Sequence, residues 1–202
     1  MNEFRRATAD DLPTLARIHK AAYSRGHFTA LLPDDVLARY YSYFLDDGSE
    51  ICIALDGVAR CDTRRLLSDN VLGFAVFGSG IPEKIAKFKR ECLRDIFFAS
   101  LRYPWVSVRK ALRAVFSRLE SGPTHHPPAE FLLLSIAVAV PRCGVGSRLL
   151  SVMLETAQQR GCRFAGLYVN TDNVSAINAY FSAGFVIVDF QSGQFYMEKT
   201  FG

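Results

Sequence analysis

Cysteines at paired spacing are missing from this sequence: Cys52, Cys61, Cys92, Cys143 and Cys162 are odd in number, scattered, and never two residues apart. That pattern argues against a disulfide framework and against a zinc site, and leaves the five as buried or bystander thiols with no metal expected. His125 and His126 adjoin in "GPTHHPPAE", but no further ligand stands at metal-binding spacing, so the stretch reads as a solvated loop. Long apolar runs are missing too: the longest, Phe131 to Val140, is too short for a bilayer-spanning helix. The opening "MNEFRRATADDLP" carries acids and polar residues where a signal peptide has an apolar stretch, so a soluble protein in a reducing cytoplasm is expected. Internal repeats and low-complexity tracts are also absent.

What is present suffices for one well-buried core: 202 residues, half of them apolar, predict a single domain over 1–202. The modest net charge of +4 hides a local bias, because the segment from Glu83 to Glu120 holds ten basic residues against four acidic ones.

Periodicity gives the order of elements. "NEFRRA" reads as a first strand and "TADDLPTLARIHKAAY" as a helix capped by Thr8 or Asp10, with Leu12, Leu15, Ile18 and Ala22 at helical spacing. A second helix, Pro33 to Leu45, opens on its proline, and "EICIALDG" and "NVLGFAVFGSG" read as strands joined by a polar connection over 58–69. Two basic amphipathic helices follow, striped by Ile85, Phe88, Cys92 and Ile96 and by Val108, Leu112, Val115 and Leu119; together they form a helical insertion over 82–120. "AEFLLLSIAVAV" is continuous enough for a central strand buried on both faces. A helix from about Gly144 to Arg160 leads to the strand "FAGLYV", then "NVSAINAYFSA" makes a short helix closed by Gly184. A terminal hairpin, "FVIVDF" and "GQFYMEKT", turns at Ser192 and Gly193. The fold class is α/β: one mixed central sheet with flanking helices.

Between the apolar strand and its helix lies "VPRCGVGSRLL". First-turn N–H groups of a helix have no intrahelical partner and the helix dipole favours negative charge, so a strand, two glycines and a helix can hold a phosphate. The third glycine of a dinucleotide fingerprint is lacking, since position 149 is Leu, and there is no Gly-Lys-Ser/Thr of a P-loop. By itself the turn is equally well a tight helix start. A second stretch, "YVNTDNVSAINAYFSAGF", opens a helix at Asn173, reaches Tyr180 seven residues later and ends on Gly184 and Phe185.

Together with "FRRATADDLPTLARIH", these two stretches resemble the GNAT family of acyl-CoA-dependent N-acetyltransferases along nearly the whole chain outside 81–128. Asn173, Ala176, Tyr180, Gly184 and Phe185 match the family's N-x-x-A-x-x-x-Y-x-x-x-G-F motif. Of the family's Q/R-x-x-G-x-G/A motif, Gly144 and Gly146 match, while Pro141 stands where relatives carry Gln or Arg.

The resemblance implies acetyl-CoA as co-substrate, held in a splay between parallel strands 131–138 and 164–169. Its pyrophosphate would meet the N–H groups of Arg142, Cys143, Gly144, Val145, Gly146 and Ser147, and the backbone of Ile136, Ala137 or Val138 would pair with the pantetheine arm and polarise the thioester. It implies Tyr180 as proton donor to the departing thiolate, a role suited to a phenol that stays protonated at neutral pH. Asn173 combines helix capping with a hydrogen bond to the cofactor arm. The attacking amine must be neutral, so a base is needed; Glu130, at the mouth of the apolar strand, is the leading candidate, with His27 and Glu50 as rivals. Cys143 has no basic partner to make it a nucleophile.

The basic insertion reads as a cover for the acceptor site, a face for an acidic or phosphate-bearing partner, a contact with an anionic membrane surface, or a solvated polar face over a packed stripe. "GHFTALLPDDVLARYYSYFL" followed by such an insertion is similar to family members that modify amino sugars. The expected function is therefore N-acetylation of a small primary amine, an amino sugar among the candidates, with no nucleic acid partner and the oligomeric state left open. Two alternatives keep the fold: a donor with a longer acyl group, from CoA or an acyl-carrier protein, and a CoA-binding module that transfers nothing.

Overall fold

Strand β1 (Phe4–Arg6) opens a computed structural model that describes residues 3–23, 27–55, 70–102, 129–191 and 193–202. It leads through a 3-10 turn (Ala9–Asp11) into helix α1 (Leu12–Ala22). The turn exists because Thr8 N–H donates to Asp11 Oδ2 at 2.8 Å while Arg5 clasps the same carboxylate through both guanidinium ends, at 2.6 and 2.7 Å. That clasp holds the Asp11 pKa down at about 2. Thr8 is thus the capping residue, and the cap serves the 3-10 turn first. On α1 the buried positions are Leu15, Ala16, Ile18 and His19; Ala22, expected on the stripe, is exposed as the last residue of the helix.

Helix α2 (Asp34–Ser42) starts after Pro33 and buries Val36, Leu37, Tyr40 and Tyr41; it stops three residues before the expected Leu45. Strands β2 (Ser49–Leu55) and β3 (Val71–Gly78) follow, and all eight residues of β3 are buried. Helices α3 (Ile81–Glu91) and α4 (Leu93–Arg102) come next. Their predicted stripe packs as expected: Phe88 and Cys92 are buried, Ile85 and Ile96 lie against them, and the Phe88 ring meets Tyr40 edge-on at 4.9 Å. The second basic helix, the connection over 58–69 and the His125–His126 loop were read on stretches that lie outside the described residues.

The remainder matches its reading nearly residue for residue: β4 (Phe131–Val138), α5 (Val145–Gln159), β5 (Phe164–Asn170), α6 (Val174–Ser182), β6 (Val186–Gln191) and β7 (Gln194–Thr200). The seven strands form one sheet in the order β1-β2-β3-β4-β5-β7-β6, antiparallel throughout except for β4 with β5. Strand alternation sends Phe74 and Val76 of β3 to one face, under α1, α2 and α3, and Ala75 and Phe77 to the other, under α5. Leu149, Leu150, Met153 and Ala157 of α5 are all buried against that second face. Among the described residues no helix is long and apolar enough to cross a membrane.

One irregularity positions everything else. Across β3 and β4, Val76 faces Ser135 and Phe77 faces Leu133, so Leu134 is a bulged residue with no partner. The parallel pairing of β4 with β5 runs from Phe131↔Ala165 to Leu133↔Leu167 and ends at that bulge. Beyond it β4 stays with β3 and β5 with β7, and the two strands part. This is the expected splay between strands 131–138 and 164–169.

Candidate active site

The far side of the gap is closed by the turn after β4. Ala139 N–H still donates to Leu72 of β3 at 2.8 Å, and the chain then reverses with Arg142 at φ 65° and Gly144 at φ 79°, both left-handed. Arg148 N–H to Gly144 O, at 3.2 Å, is the first turn-closing bond of α5, and the cap carries no side-chain hydrogen bond. The N–H groups of Val145, Gly146 and Ser147 therefore point out of the helix end, where its dipole is positive. A Cβ placed on Gly146 would come no nearer than 3.8 Å to Ile136 and 3.9 Å to Val138, ordinary contact, so internal packing does not demand glycine there. The space suits close approach of a ligand to backbone.

Arg142 and Pro141 are exposed at the lip of the turn. Cys143 is buried and disulfide-bonded, its partner lying outside the described residues. This corrects its reading as a bystander thiol; single scattered cysteines give no spacing signal for a pairing that tertiary contact creates.

Strand β4 floors the gap. Because Ala139 turns its N–H toward β3, and alternate residues of a strand aim their peptide groups oppositely, Ile136 and Val138 present theirs to the gap. Ala137 does not: its carbonyl lies against Gly73 of β3, where a Cβ would sit 2.6 Å from it. Of the three strand residues read as thioester contacts, the backbone of two is therefore available. The Ile136 carbonyl accepts a hydrogen bond from the Tyr23 hydroxyl at 3.3 Å.

Helix α6 supplies the opposite wall. Asn173 Oδ1 accepts from Ala176 N–H at 3.2 Å, so the capping role is realised. Tyr180 meets the Phe185 ring at 5.9 Å, and burial pushes its pKa up to about 12. Tyr23 is raised chiefly by burial and further by the neighbouring Tyr180, so two phenols share the gap, both protonated at neutral pH.

Glu130 stands apart. It is exposed at the closed end of the β4–β5 pair, six residues before Ile136, which is about 20 Å along a strand. Glu50 is on β2, opposite Phe77, with its carboxylate 3.3 Å from Arg160. His27 is the rival base that the fold brings near: its ring lies 4.8 Å from the Tyr23 ring.

Around Tyr23 the structure gathers residues that no motif marked. His19 stacks on Tyr23 at 4.3 Å, with Nδ1 2.5 Å from Tyr41 Oη and Nε2 2.8 Å from Thr29 Oγ1; Thr29 Oγ1 is also 2.8 Å from His27 Nδ1. The available signal was the spacing Leu15, His19, Tyr23, which puts an imidazole and a phenol on the buried stripe of α1. Burial, then His27 and Lys20 nearby, lower the His19 pKa from 6.5 to about 3. Unfolded chains thus bind a proton below pH 6.5 that the fold refuses. Stability from this group is complete above pH 6.5 and falls toward pH 3 with a slope approaching ~1.4 kcal/mol per pH unit. Denaturant melts at stepped pH check this: His19→Gln, weaker at neutral pH, is expected to show a shallower loss over the same range.

Residues 118–185, which hold β4, α5, β5 and α6, match the model of the Acetyltransferase (GNAT) family. Among solved structures, ribosomal-protein-alanine N-acetyltransferase from Brucella melitensis superposes with a TM-score of 0.57 at 17% identity, over 98% of this chain and 99% of that one. The PaiA N-acetyltransferase from Thermoplasma acidophilum, in complex with coenzyme A, gives 0.54 at 15% identity, over 98% of each chain. YncA, a putative acetyltransferase from Salmonella typhimurium with its cofactor acetyl-CoA, gives 0.55 at 15%, over 98% of this chain and 92% of that one. No curated protein sequence matches. The match to the GNAT acetyltransferase model thus covers the strands and helices that frame the gap, and the fold is shared along its length with these structures.

Proposed function

We propose that this chain, as a single domain over 1–202, is an N-acetyltransferase moving an acetyl group from acetyl-CoA to a small primary amine by direct attack. The observation that carries the reading is the gap itself. Backbone of Ile136 and Val138 that no longer pairs with β5 lies between the uncapped N-terminus of α5 on one side and Tyr180 on the other. The N–H groups of Val145, Gly146 and Ser147 would hold the pyrophosphate, the backbone of Ile136 and Val138 the pantetheine arm, and Asn173 the same arm through the amide nitrogen its cap leaves over. The donor supplies a thioester carbon open to attack and a thiolate as leaving group. An N–H of the gap-facing strand, aimed at the acetyl oxygen as charge gathers there, contributes about 3 kcal/mol of barrier lowering. The amine nitrogen bonds to the acetyl carbon and gives up one proton to solvent, the carbon–sulfur bond breaks, and Tyr180 passes its proton to the sulfur and regains one from solvent.

Donor competition tests the reading: thiol release is measured with acetyl-CoA, longer acyl-CoAs and acyl-carrier protein against a panel of peptide N-termini, lysine, polyamines and amino sugars. Acetyl-CoA is expected to lead, with a small amine as acceptor. Preference for a longer acyl donor, or tight binding with no thiol release, would replace it with one of the other two readings.

A further inference from the structure

We propose that α4, with the end of α3, is a docking surface for an anionic lipid bilayer: its phenylalanine and leucine side chains enter the headgroup layer and its cations meet lipid phosphates. None of its residues belongs to the cofactor gap. Phe88, Cys92 and Ile96 tie the two helices to the core from within. That anchoring turns the other side of α4 to solvent, where Leu93, Phe97 and Leu101 follow one another at one-turn intervals with 67%, 59% and 60% of their surface exposed. Phe98 beside them is 56% exposed, and its ring meets Phe97 edge-on at 6.1 Å. Single exposed apolar residues are ordinary on a protein surface, but four large ones on one side of a ten-residue helix mark a surface that binds something.

The charges around this ridge say what it binds. The Arg94 guanidinium stands 5.9 Å from the centre of the Phe98 ring, and Arg90 and Arg94 line a shallow depression with Glu91, Leu93 and Phe97. Lys87, Lys89 and Arg90 are exposed on α3. Lys84 is ion-paired with Asp46, but among the described residues none of Lys87, Lys89, Arg90 and Arg94 stands in an ion pair. The nearby acids are turned aside. Glu91 accepts a hydrogen bond from the Tyr43 hydroxyl, and the helical twist carries Asp95 to the side of α4 away from Leu93 and Phe97, where it is half-buried. The sequence keeps the same sign beyond α4: Arg109, Lys110, Arg113 and Arg118 all precede the next acid, Glu120.

A bilayer with anionic headgroups answers both features of the surface at once. Acyl chains accept the hydrocarbon side chains, while arginine and lysine reach the phosphates a few ångströms above, which is how a short basic amphipathic helix lies in a membrane interface. A second copy of the chain, docked face to face, would set Arg90 and Arg94 against their own counterparts. An acidic protein would satisfy the cations and press its charges onto four side chains that cannot hydrogen-bond.

Co-sedimentation of the full chain with phosphatidylcholine vesicles, with and without about 30% phosphatidylglycerol, tests the surface. Binding to the anionic vesicles is expected to be tighter than to the neutral ones by about ten-fold or more, and to fade as salt rises from about 0.05 to about 0.5 M. Phe97→Gln with Leu101→Gln should weaken it about 50-fold and Arg90→Gln with Arg94→Gln about 20-fold. Melting temperatures and transfer to a soluble amine should stay as in the wild type, since these four side chains are exposed. Absence of sedimentation, equal binding to neutral vesicles, or binding that survives the Phe97–Leu101 pair overturns the proposal. Without vesicle binding, a dimer that this pair dissolves would give the face to a second copy, capture of acyl-carrier protein would give it to an acidic partner, and a fall of many degrees in melting temperature would give it to packing within the chain. Vesicle binding is read without turnover, so its failure and that of the acetyltransferase reading are separate results.

Discussion

Gly144→Val is expected to abolish acetyl-CoA binding, while Arg142→Ala weakens it no more than about five-fold. Gly144 sits at φ 79°, where an L-residue pays about 1–2 kcal/mol and a β-branched one more, so valine forces the turn into another conformation. The orphan N–H groups of Val145, Gly146 and Ser147 follow directly, and any rotation of the turn carries them off a common focus. Arg142 contributes an exposed cation whose interaction with a phosphate is screened by water, worth at most ~1 kcal/mol. Calorimetric titration with CoA measures both. Thermal melts of the same proteins keep the two effects apart: a Gly144→Val protein that melts cooperatively, even several degrees lower, and no longer binds has lost the site and not the fold. A severe loss from Arg142→Ala alone would mean that the arginine side chain performs the task of the Gln or Arg that Pro141 replaces.

Tyr180→Phe is expected to lower kcat by about 100- to 1000-fold with little change in KM for acetyl-CoA, because in the proposed reaction the hydroxyl acts only when the thiolate departs. With its pKa raised to about 12 by burial, Tyr180 holds its proton throughout the working range, and its removal should leave the shape of the pH–rate profile below pH 10 unchanged. Tyr23 is the internal control: its hydroxyl is spent on the Ile136 carbonyl, so Tyr23→Phe should disturb positioning on the acceptor side and raise the amine KM more than it lowers kcat. Undiminished turnover in Tyr180→Phe would pass the donor role to another group facing the gap.

Strand β4 was legible in the sequence to the residue, since an apolar run bounded by Glu130 on one side and a proline–glycine turn on the other leaves little freedom. Its bulge was not. A run with apolar residues at nearly every position carries no alternation to betray an extra residue, and the bulge at Leu134 is visible only in register with β3. The splay was expected from family likeness, and the register supplies its cause. The placement of β7 between β5 and β6 was likewise hidden, because hairpin signals name partners but not which strand meets a third. In the candidate site, Gly144, Gly146, Asn173 and Tyr180 were read from spacing within two short stretches of the sequence. Tyr23, His19, Thr29 and Tyr41 were not, because they come from separate elements and meet only through packing. Glu130 was favoured for its nearness in sequence to the strand, and the strand's own length carries it away.

Nitrogen-15 NMR titration of the full chain with CoA tests most directly the claim that the α5 N-terminus and the open edge of β4 form one cofactor site. The amide signals of Val145, Gly146 and Ser147, and those of Ile136 and Val138, are expected to shift together and saturate with a single dissociation constant. CoA binding that leaves these five amides in place while others move would contradict the account.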